Sequence, residues 1–282
     1  MSSDINKYFN RFLFQPKSQV LSQLFGAYKT AFKGSGQIYL QSRLYEEGDD
    51  ARYIDSRVTA RNIEIHTKVF TEERLQDVVI VFDVSPSVFV SFDKNSNNKL
   101  LENIVLLLSN IVLSNGDKLG YIAFSDKVES YSVPQNNPSI IYQIDKVVNE
   151  KVRNTQTNIS SALEFLYKSF KKNTLVFIIS DFFAENYYDL LKLVCTKFDT
   201  IVVNLEQTSI LCDKAIFLVK DSETGRITYI DTNKITNDIP HKKISSYAKE
   251  LSVDYIETSS TDDFIKKLFL IMKRRVFHLK NT

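Results

Sequence analysis

At 282 residues, with 43% hydrophobic and 25% charged side chains, the chain has a globular balance that excludes a disordered, collagen-like or coiled-coil polymer and leaves room for one large domain or two small ones. Its 36 Lys and Arg against 34 Asp and Glu leave a net charge of +2, too little for phosphate-backbone binding, so no nucleic acid partner is expected. Two cysteines, Cys195 and Cys212, cannot build a disulfide framework or a four-ligand zinc site, which points to a reducing compartment.

The opening MSSDINKYFNRFLF lacks a cationic segment followed by a long apolar one, so no secretory signal is read there and the expected location is the cytoplasm. Apolar side chains at three-to-four spacing, first Ile5, Phe9 and Leu13, then Val20, Leu24, Tyr28 and Phe32, predict a helical hairpin. Gly34, Ser35 and Gly36 break the pattern as a turn; a dinucleotide fingerprint would need glycine where Tyr39 stands. The charged stretch from Arg43 to Phe70 predicts a turn at Gly48 and Asp49, a short helix near Ala51 to Ala60 and a strand from Glu64 to Phe70. Residues 1–75 thus read as an N-terminal helical and charged module. Its Arg43, Glu46, Asp49, Asp50, Arg52, Asp55, Arg57 and Arg61 nearly balance in charge, so they are expected to satisfy one another and to pin the module to the domain that follows.

Beyond Asp77 apolar strand runs alternate with amphipathic helices. The order is strand Val78 to Val84, helix Lys99 to Ser114, strand Lys118 to Phe124, helices Ile140 to Asn149 and Ile159 to Phe170, strand Leu175 to Ser180, helix Asn186 to Cys195, and strand Thr200 to Leu205. The near-continuous runs VVIVFDV and TLVFIIS mark central parallel strands covered on both faces, so residues 76–282 are predicted to form an α/β domain with a doubly wound, mostly parallel sheet. AIFLVKDSETGRITYI alternates around Glu223, Thr224 and Gly225 as an inserted β-hairpin near 215–230. A helix from Lys242 to Leu251, a strand from Asp254 to Glu257 and a helix from Asp262 to about Phe277 complete the pattern. The last helix sets Phe264, Leu268, Ile271, Met272 and Arg275 around an apolar stripe, which is read as packing on the sheet in preference to a membrane-surface role for Lys273, Arg274 and Arg275. No run reaches the roughly 20 apolar residues that span a bilayer.

The chemistry concentrates in DVSPS, where Asp83 ends a buried strand and Ser85 and Ser87 follow at alternate positions of the next loop. Ligand sites of open α/β sheets lie outside the carboxyl ends of the strands. Thr155 and Thr157 precede the helix at Ile159, and Ser180 and Asp181 end the next buried strand, again at a carboxyl edge. Hard oxygen donors of this kind suit Mg²⁺ or Mn²⁺. The blander alternative is a strand-ending turn in which Asp and Ser cap backbone groups. A phosphatase acting through an aspartyl phosphate would need a second carboxylate two residues after Asp83, and that position is Ser85, whose hydroxyl cannot act as acid and base near neutral pH. His66, His241 and His278 flank no nucleophile motif, and a non-enzymatic role is expected.

D-x-S-x-S, then Thr, then Asp on successive loops resembles the metal-ion-dependent adhesion site of von Willebrand factor A domains. By that resemblance Asp83, Ser85, Ser87, Thr157 and Asp181 would surround one Mg²⁺ or Mn²⁺ and leave a position for a carboxylate of a partner protein. The strings RLYEEGDDARYIDSRVTAR, KVFTEERLQDVVIVFDVSPS, NGDKLGYIAFSDKV and IISDFF resemble, more narrowly, a bacterial von Willebrand A-like family, domain of unknown function fifty-eight, often encoded beside MoxR-type AAA+ ATPases. The likeness runs from about Gly34 to the basic C-terminus and departs at Ser56, where the family usually has Trp, and at Val88, where it usually has Met. It implies a cation-dependent protein-binding module whose partner, a MoxR-type ATPase or a client of one, offers an acidic residue. Phe89, Phe92, Ser125, Phe182 and Phe183 are the candidates for the rim around the ion. The competing class is a metal-independent scaffold, assembled through the N-terminal helices and charged cluster.

Overall fold

The computed structural model describes residues 19–33, 38–62, 64–71, 75–85, 96–150, 157–184, 186–206, 216–220, 227–231 and 241–281. The expected first helix of the N-terminal hairpin, the turn at Gly34 to Gly36 and the hairpin turn at Glu223 to Gly225 lie outside these residues.

Strands with no polar side to show must be covered on both faces, and the apolar runs fold accordingly. A six-stranded sheet is built from β3 (Asp77–Asp83), β4 (Lys118–Phe124), β5 (Val128–Gln135), β6 (Leu175–Ser180), β7 (Asp199–Leu205) and β10 (Asp254–Thr258), in the order β10-β7-β6-β3-β4-β5. All neighbours pair in parallel except β5, which returns antiparallel beside β4 at one edge. Two smaller antiparallel pairs stand apart from this sheet, β1 (Ile38–Leu44) with β2 (His66–Thr71) and β8 (Ile216–Lys220) with β9 (Ile227–Asp231), the second being the expected inserted hairpin.

Alternation along β3 divides the core in two. Val78, Ile80 and Phe82 face a cluster with α1 (Gln19–Lys33), α3 (Ser96–Ser114), α4 (Ser139–Asn149) and α8 (Thr261–Asn281), after the short helix α2 (Ser56–Thr59) of the charged segment. Val79 and Val81 face the opposite cluster, filled by α5 (Ile159–Ser169), α6 (Tyr188–Lys197) and α7 (His241–Glu250). The result is a three-layer α/β sandwich, as the strand and helix alternation predicted. None of the described helices is long and apolar enough to cross a membrane.

Three features depart from the expectations. The helix expected near Ala51 to Ala60 divides into a 3₁₀ turn, Ala51–Tyr53, and α2, because Ile54 pairs with Thr67 as a bridge and Asp55 turns back to cap the Arg57 and Val58 amides. Strands β1 and β5 were not foreseen. The N-terminal helix α1 does not stay within the segment 1–75: Leu24, Tyr28 and Ala31, at helical spacing, enter the core of the large sheet, and the Tyr28 hydroxyl donates to buried Asp117 at 3.3 Å.

The balanced charges of the N-terminal segment satisfy one another, as expected, but they do so locally. Arg43 pairs with Asp49 at 2.7 Å and Glu46 at 3.4 Å, and Arg52 with Asp50 at 2.6 Å. Asp55 accepts from Ser42 Oγ at 2.7 Å, the largest of the causes that hold its carboxyl below the usual range. These ion pairs staple a short ribbon to its own turns, because their members lie within a few residues of each other.

At the far end, Arg275 donates through Nε to Asp254 at 2.6 Å and through its fork to Asp199 at 2.6 and 2.8 Å, while Arg274 also pairs with Asp254. In line with the expected packing of the last helix on the sheet, these two arginines fasten α8 to the first residues of β7 and β10.

Candidate functional site

From β3 the chain steps to β4 and β5, then crosses back over β3 to β6 and proceeds outward to β7 and β10. Connections leaving in opposite directions from the neighbouring strands β3 and β6 open a crevice at their carboxyl ends, which is where open α/β sheets place ligands. Parallel pairing sets Phe82 opposite Ile179, so the next residues, Asp83 and Ser180, meet at the mouth of that crevice.

Four of the five expected site residues fall here. Asp83 and Ser85 are fully buried, Asp181 nearly so, and Thr157 is half-buried; Ser87, like Thr155, lies outside the described residues. The loop after β3 is tied down by Val84 N–H donating to Phe124 O at 2.8 Å and by Ser85 N–H donating to Asp83 Oδ1 at 2.8 Å. Thr157 is placed from the other side. Asn158 caps α5 through a bond from Ser161 N–H at 3.2 Å, and its own amide donates to Ser125 O at 2.8 Å, which fixes the preceding residue beside the loop. Thr157 Oγ1 then reaches Ser85 Oγ at 2.8 Å.

Asp181 follows β6 directly, and Phe183 N–H donates to its Oδ1 at 3.1 Å. Burial pushes the Asp83 carboxyl up to about 7, with the charge of Asp181 adding to the rise, while bonds from Ser85 and Ser180 pull the other way. Two carboxyl groups thus sit in mutual repulsion in a desolvated crevice beside two hydroxyls. Among the described residues no three His, Cys, Asp or Glu side chains gather as a metal cage. A cation here would rest on the two carboxylates plus hydroxyl and water oxygens, a donor set that fits a hard divalent ion such as Mg²⁺.

The expected rim is partly corrected. Phe182 is 1% exposed and packs in the second core, 6.0 Å from the Tyr187 ring, because a left-handed backbone at φ 54° turns it inward. Ser125 is buried too, its hydroxyl engaged with Glu129 at 2.6 Å. Phe183 does stand at the surface, 47% exposed; Phe89 and Phe92 lie outside the described residues. Ser180, which the sequence places at the carboxyl edge but not among the five expected site residues, bonds Asp83 directly, its Oγ donating to Oδ2 at 2.9 Å. The signal for that contact was the strand pairing, which a single sequence does not print. Burial pushes the Cys195 thiol up to about 11, which suits packing and not thiolate chemistry; Cys212 lies outside the described residues.

A family model described as "Protein of unknown function DUF58" matches residues 41–245. The chain belongs to this family. It is 22% identical over 216 residues to "Uncharacterized protein Rv1480" of Mycobacterium tuberculosis, covering 74% of this chain and 68% of that protein, and equally so to "Uncharacterized protein Mb1516" of Mycobacterium bovis. Among solved structures it is similar to the conserved hypothetical protein BatB from Bacteroides thetaiotaomicron, with a TM-score of 0.51, 14% identity, and coverage of 71% of this chain and 98% of that one. At that identity the likeness concerns the fold: the mixed α/β architecture with its mostly parallel sheet is shared. An aerotolerance-related membrane protein from Bacteroides fragilis gives a TM-score of 0.46 at 16% identity, covering 71% of this chain and 99% of that one.

Proposed function

We propose that this DUF58 protein is a non-enzymatic, divalent-cation-dependent protein-binding module of the von Willebrand factor A type. The supporting observation is the pairing of Asp83 and Asp181 in a buried crevice with the Ser85 and Thr157 hydroxyls joined at 2.8 Å beside them. Asp83, Ser85, Thr157 and Asp181 would hold the ion, with Ser87 of the same loop completing the set. A bound Mg²⁺ or Mn²⁺ supplies an electrophilic point that an acidic side chain of a partner can bond. The chain's own contribution is to keep the two carboxylates desolvated, to turn the hydroxyls toward one another, and to present Phe183 beside the site as an apolar contact. The partner class that the sequence resemblance suggests is a MoxR-type AAA+ ATPase or a protein it remodels.

The test is calorimetric titration of the chelator-treated full chain with Mg²⁺ and Mn²⁺, beside Asp83→Ala. Saturable binding to the wild type that vanishes in the variant is expected. Equal heats in the two proteins would overturn the assignment.

A further inference from the structure

Two chains of hydrogen bonds converge on Asp83, and only one of them runs through residues already assigned. On one side Thr157 Oγ1 donates to Ser85 Oγ at 2.8 Å, and the Ser85 amide donates to Asp83 Oδ1 at 2.8 Å. On the other, Phe182 N–H donates to Ser180 Oγ at 3.0 Å, and Ser180 Oγ in turn donates to Asp83 Oδ2 at 2.9 Å. Ser180 is fully buried, its proton given to Asp83 and one of its two lone pairs accepting from Phe182. These bonds join the loop that carries Asp83 to the loop that carries Asp181.

The second loop needs this tie. Phe182 holds φ 54°, a left-handed conformation that is unfavourable for a bulky side chain and persists only where the surroundings over-determine it. The Ser180 bond to the Phe182 amide and the burial of the Phe182 ring are what hold it there. The same turn sets the Phe183 amide on Asp181 Oδ1 at 3.1 Å. One hydroxyl thereby fixes the orientation of Asp83 and, through the backbone of Phe182, the seat of Asp181.

We propose that Ser180 is a positioning residue for the cation site, setting the geometry of both carboxylates without touching the ion. This rests on the cation-binding reading above. Groups that orient metal-binding carboxylates in this way typically change affinity 10–100-fold when removed. Ser180→Ala removes the hydroxyl, and Ser180→Cys keeps the volume while replacing a strong donor with a weak one. Ser180→Thr keeps the hydroxyl.

The experiment measures Mn²⁺ affinity by calorimetry for the full chain, these three variants, Asp83→Ala, and Ser109→Ala. The last removes another buried hydroxyl, bonded to Val105 O at 2.7 Å in α3, and controls for general loosening. Thermal melting in chelator identifies any variant that does not fold. Ser180→Ala and Ser180→Cys should weaken binding about 10-fold or more, Ser180→Thr should recover most of it, and Ser109→Ala should match the wild type. Wild-type affinity in Ser180→Ala or Ser180→Cys would overturn the proposal while leaving the site intact, as would a Thr variant no better than the Ala one. A flat titration of the wild type would instead overturn the cation reading itself.

Discussion

At the scale of single residues, Asp83 sets the electrostatic character of the site. Its carboxyl, raised from 3.8 to about 7 by burial and by Asp181, holds a proton between about pH 4 and 7 that the unfolded chain has released in that range. Where the native state binds more protons than the unfolded state, unfolding free energy falls as pH rises. The contribution of Asp83 is therefore fully present below about pH 4 and is lost as pH rises through about 7, at up to roughly 1.4 kcal/mol per unit. Asp83→Asn lacks this titration. In chelator, the melting temperature of the wild type should decline against that of Asp83→Asn between pH 5 and 8, and parallel pH profiles would show that Asp83 is not raised. On the proposed cation reading a divalent ion would compete with the same proton, and Mn²⁺ affinity should then weaken as pH falls below about 7, by up to tenfold per unit. That Asp83, Ser85, Thr157 and Asp181 come together was legible in the sequence, because they occur in the order that the loops of such a sheet require. The role of Ser180 was not legible, since it depends on which strands are neighbours: Ser180 and Asp83 are 97 positions apart and meet only through the pairing of β3 with β6.

At the scale of elements, legibility follows burial. β3, β4, β6 and β7 are buried nearly from end to end, which forces the continuous Val, Ile, Leu and Phe runs that a reader of sequence can recognise. β5 is an edge strand with Glu129, Tyr131 and Val133 exposed and Ser130 and Ser132 half-buried, so its inward positions are no more apolar than its outward ones and the usual period-two signal is absent. Its Pro134 suits an edge, where a missing donor costs nothing. The contact that holds β5 to β4 is also specific. A Cβ on Gly120 would meet Ser132 O at 2.7 Å and Pro134 N at 2.9 Å, both backbone atoms that cannot swing away. Gly120→Ala should therefore push the two strands apart and destabilise the fold by about 1–3 kcal/mol, seen as a lower urea midpoint. An unchanged midpoint would mean that the edge pairing is looser than this geometry. Because β4 carries Phe124, whose carbonyl ties the Asp83 loop, the same variant should also weaken Mn²⁺ binding if the proposed cation reading holds.

At the scale of the whole molecule, the periodicity of Val20, Leu24, Tyr28 and Phe32 reveals an apolar face but not what covers it. The cover is distant in sequence. α1 packs along α8, and Leu24 and Tyr28 join the core formed by β3, α3 and α4. Burial pushes the Tyr28 hydroxyl well above its ordinary value, with buried Asp117 adding to the rise, so this tyrosine stays neutral and acts as a donor that closes the helix onto the sheet. α8 is itself fastened by Arg275 between Asp199 and Asp254, and the charge of Asp199 also reaches Tyr28 of α1. An N-terminal helix placed in this way belongs energetically to the large domain. Leu24 is 0% exposed, and truncating a fully buried leucine costs about 2–5 kcal/mol, the spread reflecting how far the site can collapse. Leu24→Ala should lower the urea midpoint accordingly in a single transition, observed alike by far-ultraviolet circular dichroism and by tyrosine fluorescence. A loss below about 0.5 kcal/mol, the range of ordinary surface substitutions, would mean that α1 is an appendage and that the domain begins after it.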